Sequence, residues 1–210
     1  MAYCRLNELK GYLGQAATET TDDVLLEAFI GRATVAIDNY TGRTFEAATE
    51  TRYFESSALD PDGYTLWMDR DLLTISTGGL LNGDSSATAI ASTDYWLVDR
   101  NAGPPYYGIR LKSDVTTQWE WDTDGWVAVT GTWGWSTTPP VDITHACIRL
   151  AAYYYHQKDT PVYETTAFPE SGLISVPTGM PRDVELLLEP YKVRLSLSRP
   201  WRRFTQRSRI

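Results

Sequence analysis

Hydrophobic periodicity changes once along this chain, and the change is long. Residues 5–40, 142–157 and 181–191 carry apolar side chains at helical spacing, while the roughly 85 residues of 51–135 do not. Short helices cannot bury their apolar stripes alone, so the helices before and after the break must meet each other across an inserted segment.

Leu6, Leu9 and Leu13 fall at i, i+3 and i+7 and predict a helix over 5–13 that Gly14 ends. A second helix is expected over 22–40. Thr21 or Asp22 caps it, and Asp22 and Asp23 suit the positive end of its dipole. Its stripe is Leu26, Phe29, Ile30, Ala33, Ile37 and Tyr40, with Gly42 as the stop. After Pro139-Pro140 a third helix begins at Asp142 or Thr144 and runs to about Gln157. It carries Ile143, Ala146, Cys147, Leu150, Ala151 and Tyr154 on one face. A Pro- and Gly-rich loop over 160–179 leads to a last helix opening at Pro181. Val184, Leu187, Leu188 and Tyr191 are its stripe, and Pro190 predicts a kink or break inside it.

The middle segment is punctuated by Asp60-Pro61-Asp62-Gly63, Asn82-Gly83-Asp84 and Asp122-Thr123-Asp124-Gly125. Gly supplies positive φ in such turns, and Asp or Asn bonds the local backbone. Strands are expected at 51–54, 65–68, 72–77, 95–98, 109–112 and 126–132, with long loops near 85–93 and 101–107. The expected fold class is α+β: a small α-helical bundle interrupted by a β-rich insertion, with an extended basic C-terminal tail. The boundaries drawn from the pattern are 1–50 and 136–193 for the helical core, 51–135 for the insertion and 194–210 for the arm. No repeat of 20–50 residues is visible, against a solenoid or propeller.

Charge divides the chain further. The net charge is −8, yet residues 192–210 hold Lys192, Arg194, Arg199, Arg202, Arg203, Arg207 and Arg209 and no acid. The tail is therefore +7 and the remainder −15. An acidic body with a basic arm implies two different partners, or an assembly with two different surfaces. In the arm, Arg199-Pro200-Trp201-Arg202-Arg203-Phe204 interleaves cations with aromatics. That pattern suits docking on an acidic protein surface, with Trp201 and Phe204 as anchors. It also suits phosphate contact with base stacking, or simple solvation.

Little in the chain points to chemistry. There is no phosphate-binding Gly loop, no Gly-x-Ser-x-Gly and no His-Glu-x-x-His. His145 and His156 lie ~16 Å apart on one helix, too far to share a metal, and read as surface or interface residues. Cys147 sits two residues from His145, and such positions point apart on a helix. Cys4 and Cys147 read as free thiols in a reducing compartment rather than as a disulfide framework. Asp122-x-Asp124-Gly125 has the opening of a calcium loop but runs straight into Trp126-Val127-Ala128-Val129, so a hairpin turn is the better reading. No catalytic, cofactor-binding or metal residue is expected. No window approaches the ~18–20 apolar residues of a membrane span, and residues 1–8 lack the apolar run of a signal peptide, so neither a membrane nor export is expected.

Five of the eight tryptophans, Trp119, Trp121, Trp126, Trp133 and Trp135, fall in one short stretch. Core and subunit-interface packing accounts for them. The alternative is a carbohydrate-binding or hydrolytic module, with Trp119, Trp121 and Trp126 as a stacking platform beside Asp122 and Asp124.

Leu6-x-x-Leu9-Lys10-x-Tyr12-Leu13-Gly14, followed by Thr21-Asp22-Asp23-x-Leu25-Leu26, resembles the opening of head-tail connector proteins of tailed bacteriophages. Ala33-x-x-x-Ile37-Asp38-x-Tyr40-Thr41-Gly42-Arg43-Thr44-Phe45 is similar to the end of that family's second helix. Val129-Thr130-Gly131-Thr132-Trp133-Gly134-Trp135 with Pro139-Pro140, and Gly179-Met180-Pro181-x-Asp183-Val184-x-x-Leu187-Leu188-x-Pro190-Tyr191, resemble its second half. The resemblance covers about residues 5–45 and 127–191. It implies a structural virion protein without enzymatic activity, an adaptor or head-completion protein that forms a twelve-fold homo-oligomeric ring beneath the portal. Such a ring extends the channel for double-stranded DNA, which passes without specific binding, and presents a platform for the stopper or tail-completion protein. The implied location is the neck of the virion, after assembly in the host bacterial cytoplasm. The arm of such adaptors grips the portal, which would give Arg194, Arg199, Trp201, Arg202, Arg203, Phe204, Arg207 and Arg209 that role. Trp119, Trp121, Trp126, Trp133 and Trp135 are the candidates for subunit contact.

Overall fold

The computed structural model describes residues 2–122, 125–158, 166–167, 174–175 and 179–193. They form two compact units. One is built from the described residues of Met1–Gly42 and Pro139–Lys192, the other from those of Arg43–Thr138. The fold class is α+β, with helices in the first unit and a five-stranded antiparallel sheet in the second.

The helical unit contains α1 (Leu6–Leu13), α2 (Asp23–Thr41), α3 (Val141–Gln157) and α4 (Arg182–Leu188). A two-residue ladder, Thr166–Ala167 against Ile174–Ser175, also falls in it. α1 starts where the Glu8 carboxylate accepts from the Arg5 backbone N–H at 2.7 Å, and stops at Gly14 in the left-handed region, φ +71°. α2 ends the same way at Gly42, φ +69°. α4 closes into a short 3-10 turn over Glu189–Tyr191, the break expected from Pro190. α3 packs against all three other helices. The core is Leu9 from α1, Leu26, Ile30, Ala33 and Ile37 from α2, Ile143, Ala146, Cys147, Leu150, Ala151 and Tyr154 from α3, and Val184 and Leu188 from α4. Phe29 and Tyr40, expected in the α2 stripe, are only half-buried.

Three polar groups in this core escape periodicity. Lys10 is buried, donates to the Glu19 carbonyl and pairs with Asp23. Thr34 and Thr41 sit inside α2 and return their hydroxyls to the carbonyls of Ile30 and Ile37 at 3.0 and 2.8 Å. The N-terminal residues Tyr3 and Cys4 are also buried, with the Cys4 Sγ 3.4 Å from the Cys147 Sγ.

The sheet unit contains β1 (Ala48–Phe54), β2 (Thr65–Leu81), β3 (Tyr95–Leu97), β4 (Tyr106–Leu111) and β5 (Val127–Trp133), in the order β1-β5-β2-β4-β3. β2 departs from expectation: residues 65–68 and 72–77 belong to one strand. Its first part pairs with β4 and its later part with β5, with register shifts between Trp67 and Leu72 and again between Ile75 and Leu80. Asp69-Arg70-Asp71 looks like a turn in sequence. In the fold, Asp71 is buried and pairs with Arg43 at 2.5 Å. The sheet's core is Phe54, Leu66, Met68, Leu72, Leu80, Ile90, Ile109, Leu111, Trp119, Val127, Val129 and Trp133.

One link between α2 and α3 carries a pH prediction. The Asp22 carboxylate accepts from the Tyr155 hydroxyl and from Lys158 Nζ. The Tyr155 bond, aided by Lys158 and opposed by desolvation, holds Asp22 below its ordinary range. A depressed carboxylate contributes stability that is complete above its unfolded value, ~4, and is lost as pH falls through the lower folded value. Tyr155→Phe should therefore melt below the parent at pH 7, with the gap narrowing below pH ~4. Thermal melts across that range measure it. A gap independent of pH would mean that Tyr155 acts without Asp22.

Candidate functional site

The sheet unit's tryptophans are placed by their indole N–H groups, which need acceptors when buried. Trp119 is 8% exposed and donates to the Tyr64 carbonyl at 2.9 Å. Half-buried Trp121 donates to the Phe54 carbonyl at 3.2 Å, with its ring centroid 6.4 Å from that of Trp119. Trp133 is 3% exposed, stacks on Phe54 at 6.0 Å and donates to the Glu50 carbonyl at 3.1 Å. Trp135 lies against Phe45 with the Arg43 guanidinium 4.5 Å above its ring. Only Trp126 of the five has an open ring, at 47% exposure.

A stacking platform for sugar rings needs open faces side by side. Trp119 and Trp121 spend theirs on the sheet core, so Trp126 is the one open face of the three. Asp122 is exposed, its N–H donates to the Gly83 carbonyl, and its own carbonyl accepts from the Gly125 N–H. That is turn geometry. Asp124 lies outside the described residues. His145 and His156 are both exposed. Among the described residues, no group of three or more His, Cys, Asp or Glu is arranged to hold a metal ion, and no helix is long and apolar enough to cross a membrane.

The surface features that remain are suited to binding. Among the described residues β1 has a neighbouring strand on one side only, so its outer edge offers backbone groups for pairing. Its residues are mostly exposed, with Tyr53 at 65%. Charge guards the strand: Arg52 bonds Glu50 and Asp69, both at 2.6 Å. At the opposite edge β3 is only three residues long. There Trp96 is 38% exposed, with Arg100 4.6 Å and Lys112 5.3 Å from its ring centroid. An open hollow of about 720 Å³ lies beside it, lined in part by Asp99, Arg100, Asn101 and Arg110.

In the helical unit, α2 is apolar on its outer face as well as its inner one. Val24 is 84% and Val35 58% exposed, and Ala28 and Gly31 between them are exposed too. Their spacing of four, three and four residues makes one line along the helix. A Cβ added at Gly31 would meet nothing within 4 Å. Sequence reading assigned α2 a single inward stripe and missed this second one. The signal was present in the all-round apolar composition of the helix, which marks burial on more than one side. The arm residues Arg194, Arg199, Trp201, Arg202, Arg203, Phe204, Arg207 and Arg209 lie outside the described residues.

The sequence matches no protein-family model and no curated protein. Solved structures do resemble this fold. One is a chain from the neck of an empty gene transfer agent (GTA) particle computed with C6 symmetry, with TM-score 0.63, 19% identity and 94% of each chain covered. A second comes from the virion of a native gene transfer agent particle, with TM-score 0.61, 20% identity and the same coverage. A third comes from the neck of a native particle computed with C12 symmetry, with TM-score 0.59 and 21% identity over 94% of this chain and 93% of the other. The likeness shows a shared fold along nearly the whole chain.

The tryptophan placements separate interior from surface roles. Trp133→Ala should lower unfolding free energy by about 3–5 kcal/mol, since it leaves a cavity against Phe54. Trp126→Ala should stay within about 0.5 kcal/mol of the parent. Urea denaturation of the two variants measures both.

Proposed function

We propose that this chain is a structural protein of the neck of a phage-like particle. It acts as a non-enzymatic ring adaptor between the portal and the stopper or tail-completion proteins. The observation that carries the reading is the fold likeness over 94% of the chain to chains of gene transfer agent necks. The C6 and C12 symmetries of those assemblies favour a homo-oligomeric ring of twelve copies. The helical core, the β insertion and the basic arm are read as three working parts.

A cyclic ring uses head-to-tail contacts, in which two unlike patches of each subunit meet. The outer stripe of α2 and the free edge of β1 are the patches we assign to neighbouring copies. Trp126, with its open ring, serves the same contact. Trp119, Trp121, Trp133 and Trp135 support it by fixing the sheet from within. The acidic balance of residues 1–191 suits a channel in which DNA phosphates slide without being held. The +7 segment of residues 192–210 suits an acidic face of the portal, with the arginines as bidentate donors and Trp201 and Phe204 as anchors. The location is the virion neck, after assembly in the host cytoplasm.

Electron microscopy of the purified protein mixed with its portal should show a ring seated on the portal. A monomer that binds no portal at any salt concentration would overturn the reading. Deleting residues 194–210 should abolish portal docking and leave the circular dichroism spectrum and melting temperature intact. Undiminished docking by the truncated chain would remove the arm's role.

A further inference from the structure

The two cysteines are 143 positions apart in sequence, and their Sγ atoms are 3.4 Å apart in the helical unit. Both are buried and neither is in a disulfide. Cys147 lies in the middle of α3. Cys4 lies in the short segment before α1, which is held across α2 by Tyr3. The Tyr3 N–H donates to Thr34 Oγ1 at 3.4 Å and its hydroxyl to Asp38. An S–S bond of ~2.05 Å requires the sulfurs to close by about 1.4 Å, within reach of side-chain rotation.

We propose that Cys4 and Cys147 are a disulfide-forming pair, and that a low-molecular-weight disulfide such as glutathione disulfide converts them into a covalent staple between the N-terminal segment and α3. The inference rests on the thiol geometry and not on the neck reading, so either can fail without the other.

The two sulfurs sit in different surroundings. The Cys147 sulfur accepts from the Cys4 S–H first and then from the backbone N–H groups of Tyr3 and Cys4, with the Thr34 Oγ1 3.8 Å away. They hold its thiol below the ordinary range against the opposing effect of burial. The Cys4 thiol is pushed up by its own hydrogen bond to Cys147 and then by burial. Once the N-terminal segment lifts, those donors leave with it and either thiol can start the exchange, Cys147 for example as a thiolate. It bonds one sulfur of the small disulfide RSSR and expels RS⁻. Cys4 then gives its proton to solvent, attacks the Cys147 sulfur and expels the second RS⁻. Two protein thiols are oxidised, one RSSR is reduced to two RSH, and the protons of Cys4 and Cys147 end on the released thiols. Access requires the N-terminal segment to lift from the core, a local opening rather than global unfolding.

The test uses the full chain, denatured and refolded in a buffer rich in glutathione disulfide, so that burial does not block the reagent. The expected product is an intact chain about 2 Da lighter than the reduced one, without a glutathione adduct. Peptide mapping should join the peptides holding residues 4 and 147, and alkylation in denaturant should find no free thiol. Its melting temperature should rise by about 5–10 °C over the reduced chain and fall back on adding reductant. Cys4→Ser and Cys147→Ser should each lose the rise and carry at most one glutathione. Two free thiols after refolding, two glutathione adducts, or cross-linked dimers in place of the intrachain bond would overturn the proposal.

Discussion

Strand β5 has no room for a side chain at Gly131, and the sheet depends on that tightness. A Cβ there would sit 2.2 Å from the Thr74 carbonyl oxygen. The close approach lets the bent β2 run against β5 where its register shifts, beside the Ile75↔Gly131 pair. β5 lies antiparallel to β1 from Ala48↔Trp133 to Phe54↔Val127, so the first and last strands of a long insertion are neighbours. The pinning continues past the strands. The Trp135 N–H donates to the Thr44 carbonyl at 2.8 Å, and the Gly134 N–H to the Asp71 carbonyl at 2.8 Å. Arg43 neutralises the buried Asp71 carboxylate beside them. Losing one partner of such a pair costs about 3–5 kcal/mol. The segment therefore begins and ends at one place, and so a β unit can be spliced between two helices that pack together.

Tryptophans of the sheet unit fall on both sides of the divide between interior and surface. Trp67, Trp119, Trp121 and Trp133 have acceptors for their N–H groups inside the sheet unit. Trp96 and Trp126 keep open surface. Large rings with one polar atom help seal a sheet whose strands shift register, because each of these N–H groups finds an oxygen: a backbone carbonyl for Trp119, Trp121 and Trp133, the Asp60 carboxylate for Trp67. Among the described residues the exposed large apolar side chains are then Val24, Leu25 and Val35 on α2, Val141 and Leu186 on α3 and α4, and single aromatic rings such as Tyr53. An exposed helix stripe and a strand edge are surfaces suited to association, in keeping with the proposed ring.

The helices were legible because their stripes are strong and their stops are Gly14, Gly42 and Pro190, residues that act through the local backbone alone. Most strands were legible from β-branched and aromatic runs between Asp-Gly and Asn-Gly turns. β2 was not, because Asp69-Arg70-Asp71 carries the polarity of a turn, and only the Arg43 partner permits Asp71 inside. Lys10 escaped for the same reason: its carbonyl and carboxylate partners come from residues 9 and 13 positions away. The outer stripe of α2 was readable in principle, since Val24, Ala28, Gly31 and Val35 stand at helical spacing, but the inner stripe accounts for the helix by itself.

By itself the sequence determined the α+β class, the helix–sheet–helix order, the four helices and the split between an acidic body and a basic arm. Each of these follows from near neighbours in the chain, through periodicity, capping and local charge. The tertiary structure alone decided which tryptophans face inward, that one bent strand replaces two, which face of α2 stays uncovered, and that Cys4 meets Cys147. Those depend on partners tens to more than a hundred residues away, and on whether a buried polar atom finds one.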